Sequence, residues 1–359
     1  MHRREFLLAS AATALSRAAN AQEVITEPGQ LLITGFRGTS VADAEVSQVL
    51  KMLEAGSCAG VILLRRNCQS PDQISRLSRA FRDAAGDLAP IISIDQEGGQ
   101  VARLDSSNGF SQWMSASEAA LSDMSIMELE EYWTSRAWQL SEVGINLNFA
   151  PVVDLNVNPE NPIIGHLGRS FGRDPSNVVS FAGAFVRAHH SAGIKTSLKH
   201  FPGHGSSTTD THKEVGDISS TWSPLEMQPF ADLVEAGLAD SVMTGHLLHE
   251  DFSDEPWIPA SLSWRAVRTI REVLGFKGAI FCDDMQMAAI VEILPAEDAA
   301  LAAVNAGNTF LIFSNYDDKH NVDTVKRVGS FLSANGDRMD ATELLDQISL
   351  ARAFRADLR

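Results

Sequence analysis

The sequence predicts an α/β protein folded as a single TIM-type (β/α)8 barrel. Three observations lead there. Short apolar runs recur along the chain from residue 31 onward. They are continuous rather than alternating, as expected of strands buried on both faces. Segments of helical period, with recognisable start and stop residues, separate them.

The runs are LLITGF (31–36), GVILL (60–64), PIISID (90–95), INLNFAPVVDL (145–155), IKTSLKHF (194–201), SVMTGH (241–246), GAIFCDD (278–284) and TFLIFSN (309–315). Their number favours a closed barrel over a doubly wound open sheet, the other arrangement of such units. After the second run, SPDQISRLSRAFRDAAG offers Ser70 as a cap, Pro71 at the first helical position and Gly86 as a stop. Ile74, Leu77 and Phe81 give that segment one apolar face. SNVVSFAGAFVRAHHSAG stops on Gly193, and SWRAVRTIREVLG runs from Ser263 to Gly275. Residues 338–359 read as a last helix packed on the barrel. No repeat or linker announces a second domain, so the barrel is assigned residues 22–359.

The first 21 residues are a separate object. Arg3-Arg4, an apolar run from Phe6 to Leu15 and the small-residue pattern Ala19-Asn20-Ala21 occur in the order of a twin-arginine export signal cut after Ala21. The expectation is a periplasmic or secreted protein. Elsewhere no stretch of eighteen apolar residues exists, so no transmembrane helix is expected. The formal net charge of -17 argues against nucleic acid and anionic lipid as partners. Cys58 and Cys68 flank the run 60–64, and an extended segment of that length separates them by roughly 25–33 Å, too far for a disulfide.

Polar residues gather at the C-terminal ends of the runs, which converge on one face of a barrel. Asp95 and Glu97 follow the third, Asp154 the fourth, His246 ends the sixth, and Asp283-Asp284 end the seventh. The fifth leads into KHFPGHGSSTTDTH (199–212), too broken for a helix and too polar for a core strand. Three chemistries fit such a set. A divalent metal could take His200, His204, His212 and Asp95, although no metal-ligand spacing motif is present. A glycosidase could use Asp283 as nucleophile and His212, oriented by Asp210, as acid and base. The third possibility is plain: solvated loop histidines, turn-forming Asp154 and Asp210, and one of Asp283-Asp284 capping the following helix.

At these motifs the sequence resembles glycoside hydrolase family 3, and within it the single-domain bacterial β-N-acetylhexosaminidases. KHFPGHGSSTTDTH matches that group's long loop signature, with Thr211 where serine is usual. FCDDM resembles its nucleophile motif and IDQEGGQVAR its D-x-E-G-G-R-V-x-R. GVILLRRN, NFAPVVDLN, GRSFG, VMTGH and PASLS follow in the family's order over roughly residues 30–320. The resemblance implies a retaining, two-step hydrolysis of terminal β-linked N-acetylglucosamine from cell-wall or chitin-type oligosaccharides. It implies Asp283 as nucleophile, Asp210 and His212 as acid/base pair, and Asp95, Arg103, Arg169, Lys199 and His200 as holders of sugar hydroxyls. No cofactor and no metal are implied. A family 3 β-glucosidase is the nearer rival, and a metal-dependent barrel hydrolase the more distant one. Gln100, Cys282, Asn308-Thr309 and Trp113-Met114 depart from the family pattern.

Overall fold

The computed structural model describes residues 28–358; the expected export signal lies outside them. Nine strands form one sheet in which every neighbouring pair is parallel. They are β1 (Leu32–Thr34), β2 (Gly60–Leu63), β3 (Ile91–Ile94), β4 (Leu147–Asn148), β5 (Lys195–Thr196), β6 (Leu198–Phe201), β8 (Ser241–Thr244), β10 (Ala279–Cys282) and β11 (Phe310–Phe313). Each falls within one of the eight apolar runs. A two-stranded sheet pairs β7 (Gly216–Asp217) with β9 (Leu247–Leu248).

The ninth strand comes from the fifth run, which splits at Ser197. Its first half pairs with β4, Leu147 opposite Lys195. Its second half pairs with β8, Leu198 opposite Val242 and Phe201 opposite Thr244, with a register shift between. The run Lys195–Phe201 thus bonds on both sides and brings the two ends of the sheet together, as a barrel requires. The fourth run is the other departure from expectation. Only Leu147–Asn148 form strand, with a single bridge from Val152 to Lys199. Pro151 stands between them and lacks the N–H a ladder needs.

Helices follow the strands in the expected places. Ser70 Oγ accepts the Gln73 N–H and caps Pro71–Ala84, whose Ile74, Leu77 and Phe81 are buried. Asp174, rather than a residue of the quoted segment, caps Pro175–Ser191. Ser263 caps Trp264–Arg268, and the chain then widens into a π turn over Thr269–Val273. Asp340 caps the last helix, Ala341–Ala356. The helix Ile126–Glu142 packs against Pro175–Ser191, where the Trp133 ring meets Phe185 at 5.4 Å and Phe171 at 6.0 Å between centroids. All three cysteines are buried and form no disulfide.

Trp133 is buried where these two helices meet. Trp133→Ala is expected to lower stability by roughly 3–5 kcal/mol, read as a fall in the urea midpoint. A shift below about 1 kcal/mol would mean the shell is not held there.

Candidate active site

The strand tips enclose a pocket of about 330 Å³. Its floor is apolar: Ile62 of β2, Phe149 after β4, Met243 of β8 and Ile312 of β11. Its walls are charged. Of the eight residues nominated from sequence, Asp95, Arg103, Arg169, Lys199, His200, His212 and Asp283 line it. Asp210 stands behind His212. Groups as far apart in sequence as Asp95 and Asp283 share one cavity because parallel strands deliver their C-terminal ends to one face.

Asp283 follows β10, and its backbone N–H donates to Thr244 O at 3.2 Å. Its Oδ1 accepts the Asp284 N–H at 2.8 Å. Burial opposes its charge, but His246, His200, the Asp284 N–H and Lys199 outweigh that and hold the carboxyl at about 2. Its neighbour is different. Asp284 accepts the Ser314 N–H at 3.1 Å, the Ser314 hydroxyl and the Gln286 N–H at 3.2 Å. Burial nevertheless pushes it up to about 6. Neither aspartate caps a helix, contrary to the plain reading: the short helix Ala288–Val291 starts behind Met287. Asp284 instead ties the β10 turn to the end of β11.

His246 supports the same turn. Its Nε2 lies 2.9 Å from Asp284 O, an acceptor, so Nε2 carries the proton. Nδ1 then accepts from the Ser261 hydroxyl at 2.7 Å. Burial keeps this imidazole below its ordinary pKa, in keeping with a neutral ring.

Opposite lies a buried ion network. Lys199 Nζ reaches Asp95 Oδ1 at 2.9 Å and Glu97 Oε1 at 2.7 Å. Arg169 grips Glu97 with two bonds, 2.7 and 2.8 Å, and donates to Ile163 O at 2.8 Å. Arg103 Nη2 lies 3.2 Å from Asp95 Oδ2, while its buried Nε has no hydrogen-bond partner. Burial disfavours the charge on Glu97 and Asp95, but the facing cations hold both below the usual carboxylate range. Glu97, within IDQEGGQVAR, joins this network although it is not among the residues expected to hold sugar. Its signal was its place two residues beyond Asp95 at a strand tip.

The loop after β6 carries the proposed acid/base pair. Asp154 fixes its root. It is fully buried, with Oδ2 at 2.7 Å from His200 Nδ1 and Oδ1 accepting the N–H of His200 at 3.1 Å and of His204 at 2.8 Å. Turn geometry alone therefore does not account for this residue. Asn161 Nδ2 donates to His204 O at 2.7 Å, and Asn158 Nδ2 to Ser207 O at 3.0 Å. Gly205 passes so close to β4's continuation that a Cβ there would sit 1.6 Å from Leu155 O. Glu226, buried beneath, accepts the Ser206 N–H at 3.1 Å and the Ser223 N–H at 3.3 Å. At the tip, Asp210 Oδ1 meets His212 Nδ1 at 2.9 Å and accepts the His212 N–H at 3.0 Å. Burial raises Asp210, but these bonds leave it below the ordinary carboxylate value. The His212 side chain is 55% exposed, so its Nε2 is open to a bound molecule.

The metal reading finds no convergent ligand set: among the described residues no three His, Cys, Asp or Glu side chains are grouped to hold an ion. His200 Nδ1 is committed to Asp154, and His204 Nε2 lies 3.2 Å from Thr211 Oγ1. The departures from the family pattern are mostly structural. Trp113 packs on Phe185 and His189, and Asn308 bridges Thr244, Ser261 and Ala303. Cys282 is buried beneath Asp283, and Gln100 is exposed. No helix of the described residues is long and apolar enough to cross a membrane.

Comparison with known proteins gives a consistent result. The family model "Glycosyl hydrolase family 3 N terminal domain" matches residues 26–343. A beta-hexosaminidase of Tolumonas auensis is 36% identical over 278 residues, 76% of this chain and 79% of that protein. A crystal structure of a beta-N-acetylhexosaminidase from Beutenbergia cavernae superposes with a TM-score of 0.80 at 29% identity, covering 92% of this chain and 97% of that one. A family 3 beta-N-acetylglucosaminidase from a Paenibacillus species gives 0.82 at 30% identity; 92% of this chain matches but only 62% of that longer one.

Glu226 predicts a pH effect. Burial lifts its carboxyl to about 7 against hydrogen bonds from Ser206 and Ser223. The folded state therefore retains a proton that the unfolded chain, with glutamate near 4.3, gives up. Stability is unaffected below about 4.3, falls as pH rises from there to about 7, and levels above, with a total of about 4 kcal/mol at most. Glu226→Gln is expected to flatten that slope. Denaturation midpoints of both proteins between pH 4 and 8 check it; parallel curves would refute the assignment.

Proposed function

The chain belongs to glycoside hydrolase family 3 and is a hydrolase of the beta-hexosaminidase kind; on that premise we propose a retaining, exo-acting β-N-acetylglucosaminidase that removes terminal sugars from cell-wall or chitin-type oligosaccharides. One observation carries the reading. Asp283, held ionised, lines the same single-sugar-sized pocket as His212, and His212 is braced through Nδ1 by Asp210.

In the first step Asp283 attacks the anomeric carbon, and the bond to the leaving oxygen breaks. His212 delivers its Nε2 proton to that oxygen. Asp210 stabilises the imidazolium beforehand and fixes the tautomer through Nδ1. In the second step the neutral imidazole takes a proton from water, the resulting hydroxide attacks the same carbon, and Asp283 is released. Histidine suits both directions near neutrality, where a carboxylic acid would need its pKa raised. Asp284 does not compete as nucleophile, because Ser314 and Gln286 occupy its oxygens.

Arg103, Lys199 and Asp95 supply charge-assisted hydrogen bonds to sugar hydroxyls. Arg169 and His200, bound to Glu97 and Asp154, orient the others as much as they touch substrate. The apolar floor of Phe149, Met243 and Ile312 suits a sugar carrying a methyl-bearing substituent.

We also propose that the enzyme acts outside the cytoplasm, on the strength of Arg3-Arg4, the apolar run and Ala19-Asn20-Ala21. Changing both arginines to lysine is expected to leave an uncleaved precursor in the cytoplasmic fraction. Unchanged export would overturn the assignment.

The wild-type protein is expected to release p-nitrophenol from its β-N-acetylglucosaminide, and Asp283→Ala to lose roughly a thousandfold or more in kcat/KM. His212→Ala should lose far less on this activated substrate than on a disaccharide, since p-nitrophenolate departs without a proton. Full activity in Asp283→Ala would end the nucleophile assignment, and equal losses on both substrates the acid assignment.

A further inference from the structure

Four large aromatic side chains stand exposed among the described residues: Trp138, Trp257, Trp264 and Tyr316. Only Tyr316 lines the active-site pocket. The residue is 44% exposed and lines the pocket, so it stands where the pocket meets solvent. A singly exposed aromatic ring is ordinary on a protein surface; what sets Tyr316 apart is its place on the pocket lining. Trp264 is covered on its face by the Arg265 and Arg268 guanidinium groups at 5.9 and 5.6 Å, whereas the Tyr316 ring has, among the rings of the described residues, only the tilted His320 ring beside it at 6.5 Å.

The segment that presents Tyr316 is held firmly, and through its main chain. Arg66 donates to the carbonyls of Asn315 at 2.6 Å, Ser314 at 3.1 Å and Tyr316 at 3.2 Å. Arg37 donates to His320 O at 2.9 Å and also to Asp317 O. Asn315 takes the left-handed conformation, with φ of 50°. Its side chain donates to Gly35 O at 2.8 Å, and it exchanges two bonds with Gln286, 2.7 and 2.9 Å. Gly35 allows that approach, since a Cβ there would fall 1.8 Å from Ser314 O. Ser314 is bonded to Asp284, next to the proposed nucleophile. None of these bonds uses the Tyr316 ring; its ring neighbour within the loop is His320, tilted and 6.5 Å away between centroids. The construction aims Tyr316 at the pocket.

We propose that Tyr316 is the platform of an aglycone subsite, on which the pyranose at the leaving side of the scissile bond lays its C–H face. The inference rests on the exo-glycosidase reading above. In that reading the sugar to be cleaved fills the closed end of the pocket, so whatever meets the rim belongs to the leaving group. A pyranose offers an apolar C–H face of the size of the ring, and the phenol hydroxyl can hydrogen-bond at its edge. The subsite selects for a cyclic leaving group, not for the sugar that is cleaved.

The test compares two substrates in the full-length enzyme: the β-linked N-acetylglucosamine disaccharide, and β-N-acetylglucosaminyl fluoride, whose leaving group is one atom. The ratio of their kcat/KM values isolates the leaving-side contact. Tyr316→Ala is expected to lower that ratio roughly five- to tenfold, chiefly through KM for the disaccharide, while Tyr316→Phe and Tyr316→Trp retain it. An unchanged ratio in Tyr316→Ala overturns the subsite. So does an equal fall on both substrates, which would mark a structural role. If the wild-type enzyme turns over neither substrate, the glycosidase reading fails first and the subsite with it.

Discussion

A single buried carboxylate, Asp154, organises the site. Two of its hydrogen bonds go to backbone N–H groups, of His200 and His204, and a third to the His200 ring. These bonds turn the chain out of β6 and fix the start of the loop that ends in Asp210 and His212. Burial alone would drive such a group towards its neutral form, but the His200 ring and the backbone donors hold it ionised. Removing it would leave several buried donors unsatisfied at once, and that asymmetry makes the position structurally demanding.

The same logic, ionised groups secured by their neighbours, separates the acidic residues of the pocket by task. Asp95 and Glu97 are neutralised by Lys199, Arg103 and Arg169 and act as a rigid wall. Asp283 lacks a direct ion pair among the described residues, yet stays ionised in the field of nearby cations and one backbone donor. Its charge is available to a substrate. Asp284, one residue on, spends its oxygens on Ser314 and Gln286. Two adjacent aspartates thus acquire opposite charge states from their surroundings alone, one held well below the usual carboxylate range and one pushed above it.

Much of the architecture was legible beforehand. Each apolar run holds strand, because continuous burial on both faces leaves a continuous apolar signature that polar alternation cannot mimic. Ser70, Pro71 and Gly86 mark their helix correctly, since capping is local chemistry. The residues that line the pocket were legible where they stand at strand tips or in a dense polar loop. Glu226 was not, because nothing local distinguishes a glutamate in a short 3-10 turn from a solvated one; its burial depends on a loop that arrives from elsewhere in the chain. Turn geometry remains an open reading of Asp154 from sequence for the same reason. Tyr316 carries no motif at all.

Sequence by itself determined the periodicity, the caps, the order of the βα units and the identity of the groups able to do chemistry. These follow from side-chain type and spacing, which are local properties. Tertiary structure decided how the sheet closes, through the split of Lys195–Phe201 at Ser197, and which of the ionisable groups pair with each other. Pairing and desolvation depend on distances between residues remote in the chain. Only the folded barrel brings Lys199 to Glu97, Asp154 to His204 and Ser314 to Asp284, and so decides which carboxylates are paired.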